Sequence, residues 1–359
     1  MSYETEEFME RQYLVSDVNI GEKVNELISA AVPPNSPNIE LYREMMLTVA
    51  RMAESDRSRW DAKIMMQTLK ELEASFTLLE RFKRRRKVTV FGSARTSPEH
   101  PLYKQAVELG KIIAQHNLMV ITGAGGGIMA AAHEGAGKDN SLGLNIVLPF
   151  EQGANDTVKD SGNLLTFHFF FLRKLFFVKE ADALVLCPGG FGTLDEAWEV
   201  LTLIQTGKSP LVPVVLLEQE GGTYWSKTLE FMQTEMVDHG YISAEDLELL
   251  HLVYTPEEAG REIAKFYSNY HSTRWLSGRF VIRMHHKLTT AAIEHLNQEF
   301  AGLCKTGKIE QVPYCEQTHK EPEFCKLYRL EFVFNARDFG RLRQLVNFIN
   351  QPENWQQNA

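Results

Sequence analysis

Several things are scarce in this sequence, and each scarcity removes a class of protein. Four cysteines in 359 residues (Cys187, Cys304, Cys315 and Cys325) are too few for a disulfide scaffold and show no CxxC spacing, so reduced thiols are expected. A zinc site built from the last three with His285 or His286 would need ligand gaps of about ten residues, which do not suit the usual spacing, and no metal is expected. No apolar run approaches the roughly 20 residues that span a bilayer. The N-terminal MSYETEEFMERQY lacks the charged-then-apolar order of a signal peptide, which points to the cytoplasm. Positive charge is also in deficit: 38 Lys and Arg against 47 Asp and Glu give a net −9. That balance argues against broad nucleic-acid binding, where neutralised phosphates supply most of the affinity. What is present is ordinary for a soluble globular protein, with 44% hydrophobic and 24% charged residues.

Length allows two or three compact units. From Ile20 to about Arg86, apolar residues recur at three and four positions through VNELISAAV, YREMMLTVARM and IMMQTLKELEASFTLLERF, with a break at Pro33, Pro34 and Pro37. Residues 1–86 are therefore read as a helical N-terminal extension. At Lys87 the pattern changes. Short apolar runs (VTVFGS, LMVITGAG, LGLNIVLPF, ADALVLCPGG, LVPVVLLE) alternate with helical segments, as parallel strands covered on both faces do. A doubly wound, Rossmann-like parallel sheet is expected over 87–270, closed by a helical stretch from about Trp225 to Tyr267. Residues 271–359 read as strand, helix, strand, strand, helix (βαββα), a small α+β domain with no catalytic constellation.

The most informative segment is PGGFGTLDE, Pro188 to Glu196, where a buried strand hands over to a helix. Ligands bind at the carboxyl ends of strands in open parallel sheets. Gly189, Gly190 and Gly192 let backbone approach a ligand, and a helix opening at Thr193 would offer free N–H groups to an anion such as phosphate. Thr193-Leu-Asp-Glu196 also fits a capping box, in which the glutamate merely bonds back to the helix start. The glycines favour the cradle, since a cap needs none of them.

A second cluster, ITGAGGGIMAAAHEGAG, places Gly123, Gly125, Gly126 and Gly127 in another strand-to-helix turn. It is neither GxGxxG, because Ile128 takes the last glycine position, nor a P-loop, because no GK[ST] follows. A nicotinamide cofactor is not expected, and no other cofactor is marked. With Gly92 and Ser93 of FGSAR after the first strand, the turns would line one crevice of mononucleotide size. Arg173 and Lys174, inside HFFFLRKLFFVKEA, must reach water or find anions. One reading has Arg173 entering the crevice to clamp phosphate or pair with Glu196, with His168 nearby. The basic run Arg81 to Lys87 falls at a helix end, where cations complement the dipole.

With FGSAR, TGAGGGIM, LRK and PGGFGTLDE in that order, residues from about Lys87 to Tyr267 resemble the LOG ("lonely guy") family of phosphoribohydrolases and their bacterial nucleotide nucleosidase relatives. The added helices and C-terminal domain resemble the longer bacterial members. The resemblance implies hydrolysis of a nucleoside 5′-monophosphate to free base and ribose 5-phosphate without a metal, with Arg173 and Glu196 as the catalytic pair. It implies phosphate binding by Gly189, Gly190, Gly192 and Thr193, with Gly125 and Gly126 alongside, and a homodimer or higher homo-oligomer. Gly92, Ser93 and Lys174 complete the expected substrate-binding set. Leu172 stands where the family often has Met, and TGAGGGIM departs from its commoner glycine turn, which leaves the preferred base open. The lysine decarboxylase label often given to the family needs a pyridoxal Schiff-base lysine, and nothing marks one. Two other readings share the crevice: a mononucleotide-binding regulator without turnover and a molybdenum-cofactor carrier.

Overall fold

Each central strand of the sheet is buried along its whole length and mostly apolar because both of its faces are covered. In the computed structural model, which describes residues 18–149 and 153–356, β1 (Lys87–Phe91), β2 (Met119–Thr122), β5 (Ala183–Leu186) and β6 (Val214–Leu217) are buried at every position. The N-terminal MSYETEEFMERQY and Phe150, at the end of the third apolar run, lie outside the described residues. Side chains alternate between the two faces with the period of a strand. Val88, Val90, Val120 and Val185 pack with α4 (Pro101–Gln115), α5 (Ile128–Ala136) and α9 (Pro256–Phe266). Phe91, Ile121, Leu184 and Leu186 pack with α6 (Phe170–Glu180) and α7 (Phe191–Gln205) on the other face.

The parallel sheet has seven strands in the order β4-β3-β2-β1-β5-β6-β7. Of these, β3 is Ser141–Ile146, while β4 (Leu164–Phe167) and β7 (Leu250–Val253) are the edges, and sequence reasoning missed both edges. They are four residues long and only partly buried, so they lack the continuous apolar run that marks the others. The stretch from Trp225 to Tyr267 is accordingly not one helical segment. It holds most of α8 (Tyr224–Phe231), a π-helical turn, a 3₁₀ turn, β7 and α9.

The chain divides into two compact units, one through Lys70 and one from Glu71. In the first, α1 (Val18–Ala31) and α2 (Ile39–Glu54) share a small core of Val24, Ile28 and Leu47, and the prolines lie in the break between them. The division falls within α3 (Arg59–Glu80). In the second unit the parallel sheet is followed by an antiparallel one, ordered β10-β11-β9-β8. Its strands are β8 (Tyr270–Leu276), β9 (Arg279–Met284), β10 (Cys304–Val312) and β11 (Tyr328–Phe334). The helices α10 (Thr290–Glu299) and α12 (Phe339–Ile349) pack on it, while the short α11 (Glu316–His319) lies in the β10–β11 connection. The expected βαββα order is corrected to ββαβαβα: Tyr270–Leu276, polar and mostly half-buried, pairs with β9 as a further strand, and the short α11 stands between β10 and β11. Among the described residues Cys304, Cys315 and Cys325 do not gather with histidines into a metal-holding group, and no helix is long and apolar enough to cross a membrane.

The basic run is mostly spent on the protein itself. Arg85 donates to Asn140 Oδ1 (2.8 Å) and to the Leu118 carbonyl (3.3 Å), Arg86 lies 3.6 Å from Asp182, and the buried Lys87 ammonium lies 3.0 Å from Glu180.

Candidate active site

The sheet reverses its winding between β1 and β5: successive strands run outward through β2, β3 and β4, then return to the middle and run out the other way. A crevice opens at the carboxyl ends of strands flanking such a switch point. Three turns meet there. The Ser93 amide donates to the Pro188 carbonyl (3.1 Å), and the Ile128 amide donates to the Ser93 carbonyl (3.0 Å). Two glycines make this approach possible. A Cβ on Gly189 would overlap the Thr193 side chain, and Gly127, with φ of 61°, would drive one into the Ser93 carbonyl. Gly92 packs against Ile128, Gly125 and Gly126 occupy the middle turn, and the exposed Gly190 and Gly192 border open space.

The PGGFGTLDE helix starts earlier than its sequence suggests. Its N-cap is Gly190 and its first residue Phe191, so Thr193 sits inside the first turn rather than opening it. No side chain caps this end, which removes the capping-box reading: Glu196 is further along the helix and bonds to no helix-start amide. The Thr193 amide already turns back to the Gly190 carbonyl (3.1 Å), while the amides of Phe191 and Gly192 have no acceptor among the described residues. Free amides at an exposed helix start, with the positive end of its dipole, suit a phosphate.

Glu196 is buried, at 2% exposure, and its Oε2 has no hydrogen-bond partner among the described residues. Burial pushes its carboxyl up to about 7, against the opposing pull of Lys174 and Arg173. Arg173 comes from α6. Its Nε is buried without a partner, its guanidinium lies over the rings of Phe170 (5.1 Å) and Phe177 (5.6 Å), and no described carboxylate stands within 4 Å of it. Burial lowers its pKa while the charges of Glu196 and Asp195 raise it. Its Nη1 lies 3.6 Å from where a side chain on Gly123 would begin, so the guanidinium borders the middle turn rather than bulk water. Lys174 is engaged differently: its ammonium sits 2.9 Å from Asp195 and 2.6 Å from Glu199, tying α6 to α7. His168 stands apart from this group, with its Nδ1 2.7 Å from Glu71.

Four residues of the site escaped sequence reasoning. Tyr224, at the start of α8, donates its hydroxyl to the Gly189 carbonyl (2.8 Å) and braces that turn. The buried Thr122 and His133 and the half-buried Asn155 form a network behind the middle turn. Asn155 lies 22 residues from His133 in a polar loop, and no local pattern links the two.

A family model described as "Possible lysine decarboxylase" matches residues 126–263. The cytokinin riboside 5′-monophosphate phosphoribohydrolase LOG7 of Arabidopsis thaliana is 31% identical over 169 residues, covering 45% of this chain and 72% of LOG7. LOG3 of the same plant, with the same description, is 27% identical over 186 residues, covering 50% of this chain and 83% of LOG3. Among solved structures, the molybdenum cofactor binding protein from Rippkaea orientalis aligns over 49% of this chain and 93% of its own, at 23% identity and a TM-score of 0.35. With LOG7 spanned over more than two thirds of its length at 31% identity, the chain belongs to the LOG family.

Proposed function

We propose that this protein hydrolyses the N-glycosidic bond of a nucleoside 5′-monophosphate, releasing free base and ribose 5-phosphate. The observation that carries the reading is a buried carboxyl, Glu196, and a half-buried guanidinium, Arg173, whose Nε is buried, each with an unmatched polar atom beside three glycine turns. A buried polar atom left unmatched is costly, and a ligand that binds there removes the cost. The substrate phosphate takes the free amides at the start of α7, with Gly189, Gly190, Gly192 and Thr193 shaping the cradle and Gly92, Ser93, Gly125 and Gly126 the opposite wall. Water attacks C1′ as the bond from C1′ to the base nitrogen breaks. Glu196, as carboxylate, takes the water proton and steadies positive charge at C1′, and the proton ends on the departing base. Arg173 holds an oxygen of the ribose phosphate, while Lys174 keeps α6 and α7 in register. The names of LOG7 and LOG3 support this substrate class; the preferred base is a matter for assay.

Released base is to be measured by chromatography across AMP, GMP, CMP and UMP for the wild type and Glu196→Gln. At least one substrate is cleaved, and the variant loses on the order of 10²- to 10⁴-fold in rate, the usual weight of a general base. A nucleotide that binds tightly and stays intact for hours would instead favour a regulator without turnover. Phe170, Phe171 and Phe191, exposed at 50%, 55% and 95%, leave apolar surface beside the site, which supports a homo-oligomer; a monomer in analytical ultracentrifugation would count against it.

A further inference from the structure

The middle turn of the site has an unusual backbone. Ala124, not a glycine, has φ of 59°, a conformation that L residues avoid and that persists only where its surroundings hold it. Three hydrogen bonds do so. The Ala124 amide donates to Thr122 Oγ1 (2.9 Å), the Ala124 carbonyl accepts from the Asn155 amide (2.8 Å), and the Gly125 carbonyl accepts from Asn155 Nδ2 (3.1 Å). Two of the three come from Asn155, whose own carbonyl anchors the next turn by accepting from the Val158 amide (3.1 Å).

Which way the Asn155 amide faces is decided by His133. This ring is fully buried on α5, with Nε2 3.2 Å from Thr122 Oγ1 and 3.3 Å from the Leu142 carbonyl. Burial pushes it down to about 4, so at neutral pH it carries one proton. The Leu142 carbonyl can only accept, which puts that proton on Nε2 and leaves Nδ1 as an acceptor. Asn155 Nδ2, at 3.2 Å nearer to Nδ1 than Oδ1 is at 3.4 Å, donates one hydrogen to it while its other serves Gly125. Turned over, the amide would present its oxygen to both Nδ1 and the Gly125 carbonyl, two acceptors facing a third.

Building on the hydrolase reading, we propose that Asn155, oriented by His133, is a positioning residue that fixes the Gly123–Gly127 turn as a wall of the substrate site. The turn borders Arg173, and α5, which follows it, holds the Ser93 carbonyl, so its release moves two substrate-facing groups at once. Glu196 stands on a different helix and keeps its place. The loss therefore falls on substrate binding rather than on the chemical step.

The test compares Asn155→Ala and Asn155→Asp in the full chain. Asp keeps the size and the backbone amide but cannot donate to Gly125 or His133, so both variants raise KM for the best nucleotide about tenfold with kcat within about twofold. If Asn155→Asp keeps the wild-type KM, side-chain bulk alone matters and the proposal falls. A drop in kcat at unchanged KM overturns it as well. Amide hydrogen exchange of residues 124–127 is measured on the same proteins without nucleotide. Exchange about tenfold faster in both variants is expected, and unchanged exchange contradicts the clamp. Should the wild type release no base, the hydrolase reading fails while the exchange result still decides what Asn155 does.

Discussion

The helix α6 has two ends that treat charge in opposite ways. At its C-terminal end, beside the amino ends of β1 and β5, Lys179 and the buried Lys87 both pair with Glu180, and Arg86 meets Asp182 nearby. At its N-terminal end, Arg173 keeps an unmatched buried Nε, and Glu196 on the neighbouring helix keeps an unmatched Oε2. The same helix and the same sheet thus carry a closed set of ion pairs at one end and an open one at the other. Burial of charge is tolerated structurally only where partners are supplied. Where they are withheld beside a crevice, a ligand is the natural partner, and this pair, with depressed and raised proton affinities, is where we propose the hydrolysis takes place.

Breaking the open end should cost activity and spare the fold. Arg173→Met is expected to lower kcat/KM by roughly 10³, in the range for removing a preorganised cation or donor, with a melting curve close to wild type. The closed end should respond in the reverse way. Lys87→Met leaves Glu180 buried with only the half-exposed Lys179, and chemical denaturation should show a loss of about 3 kcal/mol with kcat little changed at temperatures where the variant stays folded.

A finer contrast comes from pH. The folded Glu196 carboxyl stands at about 7 against an ordinary 4.5, so the folded protein keeps a proton that the unfolded chain releases between those values. Stability from this group is present below pH 4.5 and lost as pH rises to about 7. Glu196→Gln removes the penalty: at pH 8 it should be more stable than the wild type by about 3 kcal/mol, with the difference vanishing near pH 4. A gain that persists at pH 4 would mean the carboxylate is not the strained species. The smallest effect belongs to Lys174. Its charge is the largest of those pulling Glu196 down, so Lys174→Met should move the midpoint of the kcat/KM profile to higher pH by about one unit or less.

How far the sequence reaches follows the same division. Continuous apolar runs revealed the central strands because both faces are covered, and glycines at strand ends revealed the turns. The edge strands Leu164–Phe167 and Leu250–Val253 were hidden, since a short half-buried strand has no such run. Glycine and phenylalanine at 190 and 191 concealed a helix start two residues ahead of Thr193, because no polar cap marks it. Arg173 and Glu196 were visible as residue types, but the unmatched Nε of one and Oε2 of the other are properties of three dimensions. The converse holds for Lys174, whose two carboxylates stand a helix away. Asn155 and His133 left no local trace, since hydrogen bonds across distant segments follow no sequence period.

Following product stoichiometry from pH 5.5 to 8.5 for the wild type and Glu196→Gln puts the role of Glu196 in hydrolysis to the test. Free base and ribose 5-phosphate should appear in equal amounts from the wild type, at a rate that climbs as pH passes about 7, and the variant should release almost none. Equal release by both proteins, or a nucleotide recovered intact from the wild type at every pH, would contradict it.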